Sequence, residues 1–267
     1  MTDALIADLR RIVGRSGVLL GSDLATATVD HRGACRGEAA ALVRPCSTEE
    51  VAAVVRLCAR RSSKIVTQGG NTGLSGGATP TGHRTSVIVS LGRMNRIESL
   101  DPGRGSALVQ AGVTIEALQQ AAASVDRMFA PDWGARGSAT IGGAISTNAG
   151  GINVLAFGTT REHVLGLEVV LADGRTWNGL RTLRKDSSGY DLKQLFIGAE
   201  GTLGIVTRAV VRLLPSATHQ ATAMAAIDSL GSLAPLLALA QDHAQGGLTA
   251  FELLPEMGVE AVVARHG

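Results

Sequence analysis

Lys64-Ile-Val-Thr-Gln68 runs straight into Gly69-Gly-Asn-Thr-Gly-Leu-Ser-Gly-Gly77, a β-branched stretch that empties into a loop with five glycines in nine residues. A strand ending in such a loop reads as one step of α/β organisation. With so few Cβ atoms in the way, successive N–H groups can converge on an anion, which is what a pyrophosphate requires. The loop has no Gly-Lys-Ser/Thr of a Walker sequence, and Gly-x-Gly-x-x-Gly occurs nowhere in the chain. Neither an ATPase nor a Rossmann dinucleotide site follows. Taken alone, the loop fits a ligand-free turn about as well as a phosphate cradle.

Upstream, Leu42-Val-Arg-Pro45 reads as a short strand, and a capping box, Ser47 with Glu50, opens a helix through Val51, Val54, Val55 and Cys58. Before it, Leu5, Leu9, Ile12 and Val13 form one helical stripe, ended by Gly14 and Gly17. Downstream come strands at Ser86–Ser90 and Ala107–Ala111, then a Thr114-capped helix to about Ser124. A second small-residue run extends from Pro131 to Gly151. It suits either a flat, hydrogen-bonded ligand or a close helix-sheet contact. Two such runs suggest two walls of one site.

Alternation returns from His163 to Ala172, and Asp173-Gly174 signals a hairpin, so the sheet here is antiparallel. Gly204–Leu213 is a further strand, stopped by Pro215. From Ser216 the texture changes. Ala221–Ile227 reads as a strand, Leu230–Ala244 as a helix, Leu248–Leu254 as a strand and Pro255–Arg265 as a helix, a β-α-β-α unit with nothing to close its sheet. An open edge of this kind predicts self-association.

Composition narrows the function classes. Charged residues are 18%, the formal net charge is +2 and aromatics are 3%, so the chain lacks both the charge and the stacking surfaces of a nucleic-acid binder. Glycine, 34 of 267 or about 13%, is close to twice its usual share. No stretch reaches 18 apolar residues, so no transmembrane segment is expected, and Cys35, Cys46 and Cys58 form no Cys-x-x-Cys. Together these predict a soluble cytoplasmic protein. His31, His83, His163, His219, His243 and His266 show no metal-ligand spacing and read as solvated or incidental. Asp191 reads as a cap ahead of Leu192–Leu195, Trp133 as packing on a ligand beside the second run or as core, and Arg10-Arg11 and Arg60-Arg61 as solvated helix faces.

The loop from Gln68 to Gly77, Arg93-Met-Asn-Arg96, Gly137-Ser-x-x-Ile-Gly-Gly143, Thr147-Asn-Ala-Gly-Gly151, Gly158, Val164-Leu-Gly-Leu-Glu-Val-Val-Leu-Ala-Asp-Gly174, Lys185-Asp-x-x-Gly-Tyr-Asp-Leu-Lys-Gln-Leu195 and Phe196-Ile-Gly-x-Glu-Gly-Thr-Leu-Gly-Ile205 fall in order. In this the chain resembles the FAD-linked oxidases, the vanillyl-alcohol-oxidase or PCMH-type flavoproteins, over about Leu42 to Leu214. Within that family it is most similar to the D-2-hydroxyglutarate, D-lactate and glycolate dehydrogenase branch.

The resemblance implies an α+β fold: residues 1–41 an N-terminal helix and irregular segment, 42–215 a PCMH-type FAD-binding domain of two α+β subdomains (about 42–100 and 101–215), and 216–267 the start of an α/β substrate or cap domain. It implies FAD, with Gln68, Gly69, Gly70, Asn71, Thr72, Gly73 and Leu74 at the pyrophosphate. Pro131, Asp132, Gly137, Ser138, Thr140, Ile141, Gly142, Gly143, Asn148, Gly151 and Gly158 would lie along the cofactor, and Glu200, Gly201, Gly204 and Ile205 would close over it. Covalent members carry a histidine in the first loop; Gly70-Asn71 stands there, so non-covalent FAD is expected. His31 follows Asp30 where relatives show an aromatic.

The implied reaction is oxidation of a D-2-hydroxy acid by hydride transfer from C2 to flavin N5, with a quinone or electron-transfer flavoprotein as acceptor. A divalent metal and the substrate arginine would belong to a later cap region, and no catalytic base or metal ligand is assigned within this chain. The rival readings are a non-catalytic flavin-binding subunit completed by a partner chain, and a nucleotide-binding module with another ligand.

Overall fold

The computed structural model describes residues 2–81, 85–183 and 185–266. Helix α1 (Thr2–Val13) buries Leu5, Leu9 and Val13, the stripe that the sequence predicts. It packs on α2 (Thr48–Arg60), where the Ser47 side chain accepts from the Glu50 N–H at 3.2 Å. The Glu50 carboxylate reaches one residue further back than a capping box would, to the Cys46 N–H at 2.8 Å.

Four strands lie against these helices: β1 (Val18–Leu19), β2 (Ala41–Val43), β3 (Ile65–Gln68) and β4 (Val87–Ser90), in the order β1-β2-β4-β3. β2, β4 and β3 run parallel, with α2 as the crossover between β2 and β3, and β1 closes the edge antiparallel to β2. Because both faces are covered, Val87, Ile88 and Val89 are all fully buried and β4 reads as a continuous apolar run.

The second half is antiparallel throughout. Its elements are β5 (Ile97–Asp101), β6 (Ser106–Gln110), α3 (Ile115–Ala123), β7 (Arg127–Met128), α4 (Ile141–Thr147), α5 (Val154–Phe157), β8 (Val164–Val170), β9 (Thr176–Gly179), α6 (Lys193–Phe196), β10 (Ile205–Arg212) and β11 (Leu214–Pro215). The five-stranded sheet is ordered β5-β6-β10-β8-β9. β8 and β9 turn at Asp173-Gly174 as the hairpin signal predicts, and Thr114 caps α3 by accepting from the Ala117 N–H at 3.2 Å. Pro215 does not end the chain's pairing as expected: Leu214 and Pro215 pair with Met128 and Arg127 as a separate ribbon.

One apolar cluster takes side chains from α2 and from both sheets, among them Val54, Val89, Val109, Leu167 and Val206. A polar clasp joins α2 to the five-stranded sheet. Glu168 on β8, 5% exposed, accepts from Thr48 Oγ1 of α2 at 2.6 Å, from Thr207 Oγ1 at 2.8 Å and from Arg208 Nη2 at 2.8 Å.

After Ser216 the predicted strands fail. Residues 221–227 and 248–254 pair with nothing, whereas α7 (Leu233–Ala244) and α8 (Glu256–His266) form close to their expected places. A helix satisfies its backbone within the segment, but a strand must borrow partners from another.

Candidate functional site

The loop after β3 is held by its own polar side chains. Buried Gln68 donates from Nε2 to Ala27 O at 2.9 Å and to Ala78 O at 3.0 Å. Asn71, at φ +52°, donates from Nδ2 to Val29 O at 2.8 Å. Both amides therefore lace the loop to the preceding segment. What remains for a ligand is backbone together with the Thr72 and Ser75 hydroxyls: from Gly70 to Ala78 no N–H donates to another described residue. A row of such donors on a glycine-rich loop is suited to a polyanion.

The second wall meets the first through bare main chain. A Cβ on Gly69 would collide with the Thr140 hydroxyl and one on Gly70 with the Ser138 carbonyl, so only glycine permits the approach. Thr140 caps α4 by accepting from the Gly143 N–H at 3.3 Å. Ile141 and Gly142 donate to Val113 O and Ala111 O at 2.8 and 2.7 Å, which fixes this run to the start of α3. Asp132 takes Arg136 Nη1 at 3.1 Å, and its carbonyl takes the Ile152 N–H beside Gly151. Asn148 ends α4 and accepts from the Arg161 N–H at 3.0 Å; Gly158 ends α5 against Glu162. Gly137 and Ser138 are exposed, and Pro131 is buried.

Glu200–Ile205 forms the third side. Gly201 packs on Thr67 of β3, and a Cβ on Gly77 would stand 2.9 Å from the Glu200 carboxylate. Between this turn, β3 and the end of β8 lies a cleft of about 470 Å³, with Glu200, Gly201, Gly204 and Ile205 together in its wall. A second hollow of about 650 Å³ opens beside Gln68, Gly69, Gly70 and Asn71, and Asp30, His31 and Arg44 also line it. Some of the predicted residues thus divide between two hollows that share one loop, while Thr72, Gly73 and Leu74 and those from Pro131 to Gly158 line neither. Asp30 accepts from the Cys35 N–H at 2.7 Å, which holds its carboxyl below the usual range.

Sequence reasoning passed over Thr79. It lies two residues beyond the last glycine, lines the first cleft, is 4% exposed, and its Oγ1 has no partner. No motif marks it. Of the two readings given to the histidines, the solvated one fails for His163: it is 1% exposed, edge-on to Phe129 at 5.9 Å, and neither ring nitrogen makes a hydrogen bond. Burial pushes its pKa down, with the Phe157 backbone pulling the other way from beyond hydrogen-bond geometry. His83 lies outside the described residues. Asp191 caps nothing; its carboxylate pairs with Lys193 Nζ at 2.6 Å. Cys35 and Cys46 are exposed, and burial pushes the Cys58 thiol up to about 11. Trp133 is half-buried against the core.

A family model described as an FAD binding domain matches residues 39–179. Bovine (Bos taurus) mitochondrial D-2-hydroxyglutarate dehydrogenase is 46% identical over 202 residues, covering 76% of this chain and 37% of that protein. The Arabidopsis thaliana mitochondrial protein of the same name is 38% identical over 259 residues, 97% of this chain and 46% of its own length. The chain thus spans less than half of the curated relatives that it matches. Among solved structures, p-cresol methylhydroxylase superposes with a TM-score of 0.68 at 24% identity, over 81% of this chain and 44% of that one. That likeness establishes the PCMH-type architecture. The mitochondrial relatives overturn the cytoplasmic expectation. Among the described residues no helix is long and apolar enough to cross a membrane.

Proposed function

The chain belongs to the FAD-binding-domain family, and from that premise we propose that it carries a non-covalent FAD for the oxidation of a D-2-hydroxy acid, with D-2-hydroxyglutarate the first candidate. The unpaired N–H row from Gly70 to Ala78 is the observation that carries the cofactor reading. It supplies donors for a pyrophosphate where a side chain would block approach. Gly70-Asn71 stands where the resembled covalent members carry a histidine, and the Asn71 amide is already bonded to Val29 O.

In this reading Gln68 to Leu74 frame the phosphates, and Gln68 and Asn71 act by holding the loop rather than by touching the ligand. The run from Pro131 to Gly151, pinned by Ile141 and Gly142, lies along the flavin side, and Glu200, Gly201, Gly204 and Ile205 close the nucleotide end. FAD supplies the hydride acceptor when bound. The body, about 42–215, is the cofactor-binding unit of two subdomains, and 216–267 begins the substrate domain. A quinone or electron-transfer flavoprotein as onward acceptor, and self-association, belong to the same proposal.

The purified chain should be yellow, and acid precipitation should release the colour to the supernatant. Colour held in the pellet would contradict a non-covalent link. Bleaching by D-2-hydroxyglutarate, D-lactate or glycolate, followed at the flavin absorbance, tests the substrate class; reduction by none of them in a protein that holds FAD would remove it.

A further inference from the structure

The cleft between β3 and the Glu200–Ile205 turn is lined largely by apolar side chains and has little charge. Val55, Ala59, Ile65, Val170, Leu171 and Ile205 all line it. Its volume, about 470 Å³, is at the lower end of ordinary ligand pockets. Among the described residues only Arg44, Thr79 and His163 have buried side-chain polar atoms without a partner, and of these only Thr79 lines this cleft. A hydroxyl taken from water and left unbonded costs free energy, so such groups in native proteins usually have a partner that is missing from the chain itself.

Charge says which part of a dinucleotide could be that partner. The Glu200 carboxylate lies against Gly77 on the same cleft, where it would repel a phosphate and could accept from a ribose hydroxyl or an adenine amino group. The middle of the loop differs: nothing stands within 4 Å of a Cβ placed on Gly73. Phosphates therefore fit toward Gly73 and the uncharged nucleoside toward Thr79.

Resting on the FAD reading above, we propose that the Thr79 hydroxyl hydrogen-bonds the adenosine half of the cofactor and sets how tightly it is held. Thr79→Val keeps the shape and removes the hydroxyl; Thr79→Ser keeps the hydroxyl. Flavin-fluorescence titration should give an FAD Kd about 10-fold weaker for Thr79→Val, and within about 3-fold of wild type for Thr79→Ser. The inhibition constant of adenosine against FAD binding should rise in parallel, while that of inorganic pyrophosphate should not change. Wild-type FAD affinity in Thr79→Val, equal losses in both variants, or a shift seen with pyrophosphate and not adenosine would each overturn the role of Thr79 alone. A wild-type chain that binds neither FAD nor adenosine would overturn the FAD reading and this proposal with it.

Discussion

Residues up to Leu213 and those after Ser216 are built from similar material and come to different ends. In the body, every strand has a partner and a single cluster spans both sheets. From Ser216 onward no described residue is buried, although Met224, Leu230, Leu239, Leu254, Met257, Val262 and Val263 all lie in that stretch. Apolar content does not separate the regions. The available opposite face does: Val87–Ser90 becomes a strand because β2 and β3 flank it, whereas 221–227, equally apolar, has no neighbour. Exposed apolar surface on this scale marks an interaction site or an aggregation hazard.

The comparison breaks most readily if truncations in the two regions cost the same. Leu167 on β8 is fully buried, so Leu167→Ala should destabilise the chain by about 4 kcal/mol in denaturant unfolding. Leu239 on α7 is 56% exposed, and Leu239→Ala should stay within about 0.5 kcal/mol. A large loss at Leu239 would mean that α7 is covered in solution, and light scattering would then show whether by a second copy.

The clasp between the layers gives the next effect. Arg208→Ala leaves Glu168 buried without its cation, and should cost about 3 kcal/mol, discounted because Arg208 is itself partly exposed. Burial alone would raise Glu168, but hydrogen bonds from Arg208, Thr48 and Thr207 outweigh it and hold the carboxyl low. An Arg208→Ala protein as stable as wild type would show that the Thr48 and Thr207 hydroxyls suffice to hold the buried Glu168 carboxylate.

A smaller, pH-dependent term comes from His163. Its folded pKa lies below the ordinary 6.5, so the unfolded chain takes up the proton first. The contribution is fully present above about pH 6.5 and is lost as pH falls toward the folded value. Unfolding free energies between pH 8 and 5 should decline more steeply in wild type than in His163→Phe. Parallel curves would remove His163 from the account.

What the sequence made legible follows the range of each interaction. The Ser47 and Thr114 caps, the Asp173-Gly174 turn and the strand before Gly69 are local, and each stands where its residues place it. β1, β7 and β11 are two-residue strands with no period to read, and β5 carries Glu98, Ser99 and Asp101 on a sheet edge. The site was legible as two glycine runs, not as partners. That Gln68 and Asn71 brace the loop, that Thr79 lines the cleft and that His163 is buried all depend on residues distant in sequence.

Within the first loop, two glycines repeat the contrast in miniature. Gly70 abuts the Ser138 carbonyl, so Gly70→Val must push the walls apart and should lower stability together with cofactor binding. Gly73 has open space where a Cβ would stand and no positive φ, so strain gives no reason for the chain to notice Gly73→Val. Its unfolding midpoint in denaturant should therefore match wild type, the smallest stability effect of the series. FAD retention should nevertheless fall sharply, because a branched side chain would fill the space through which phosphate reaches the unpaired N–H groups. The two measurements separate the causes. Stable protein without flavin places the pyrophosphate over Gly73; stable protein with undiminished FAD places it elsewhere; and unfolded protein would show that the loop packs against something at Gly73 after all.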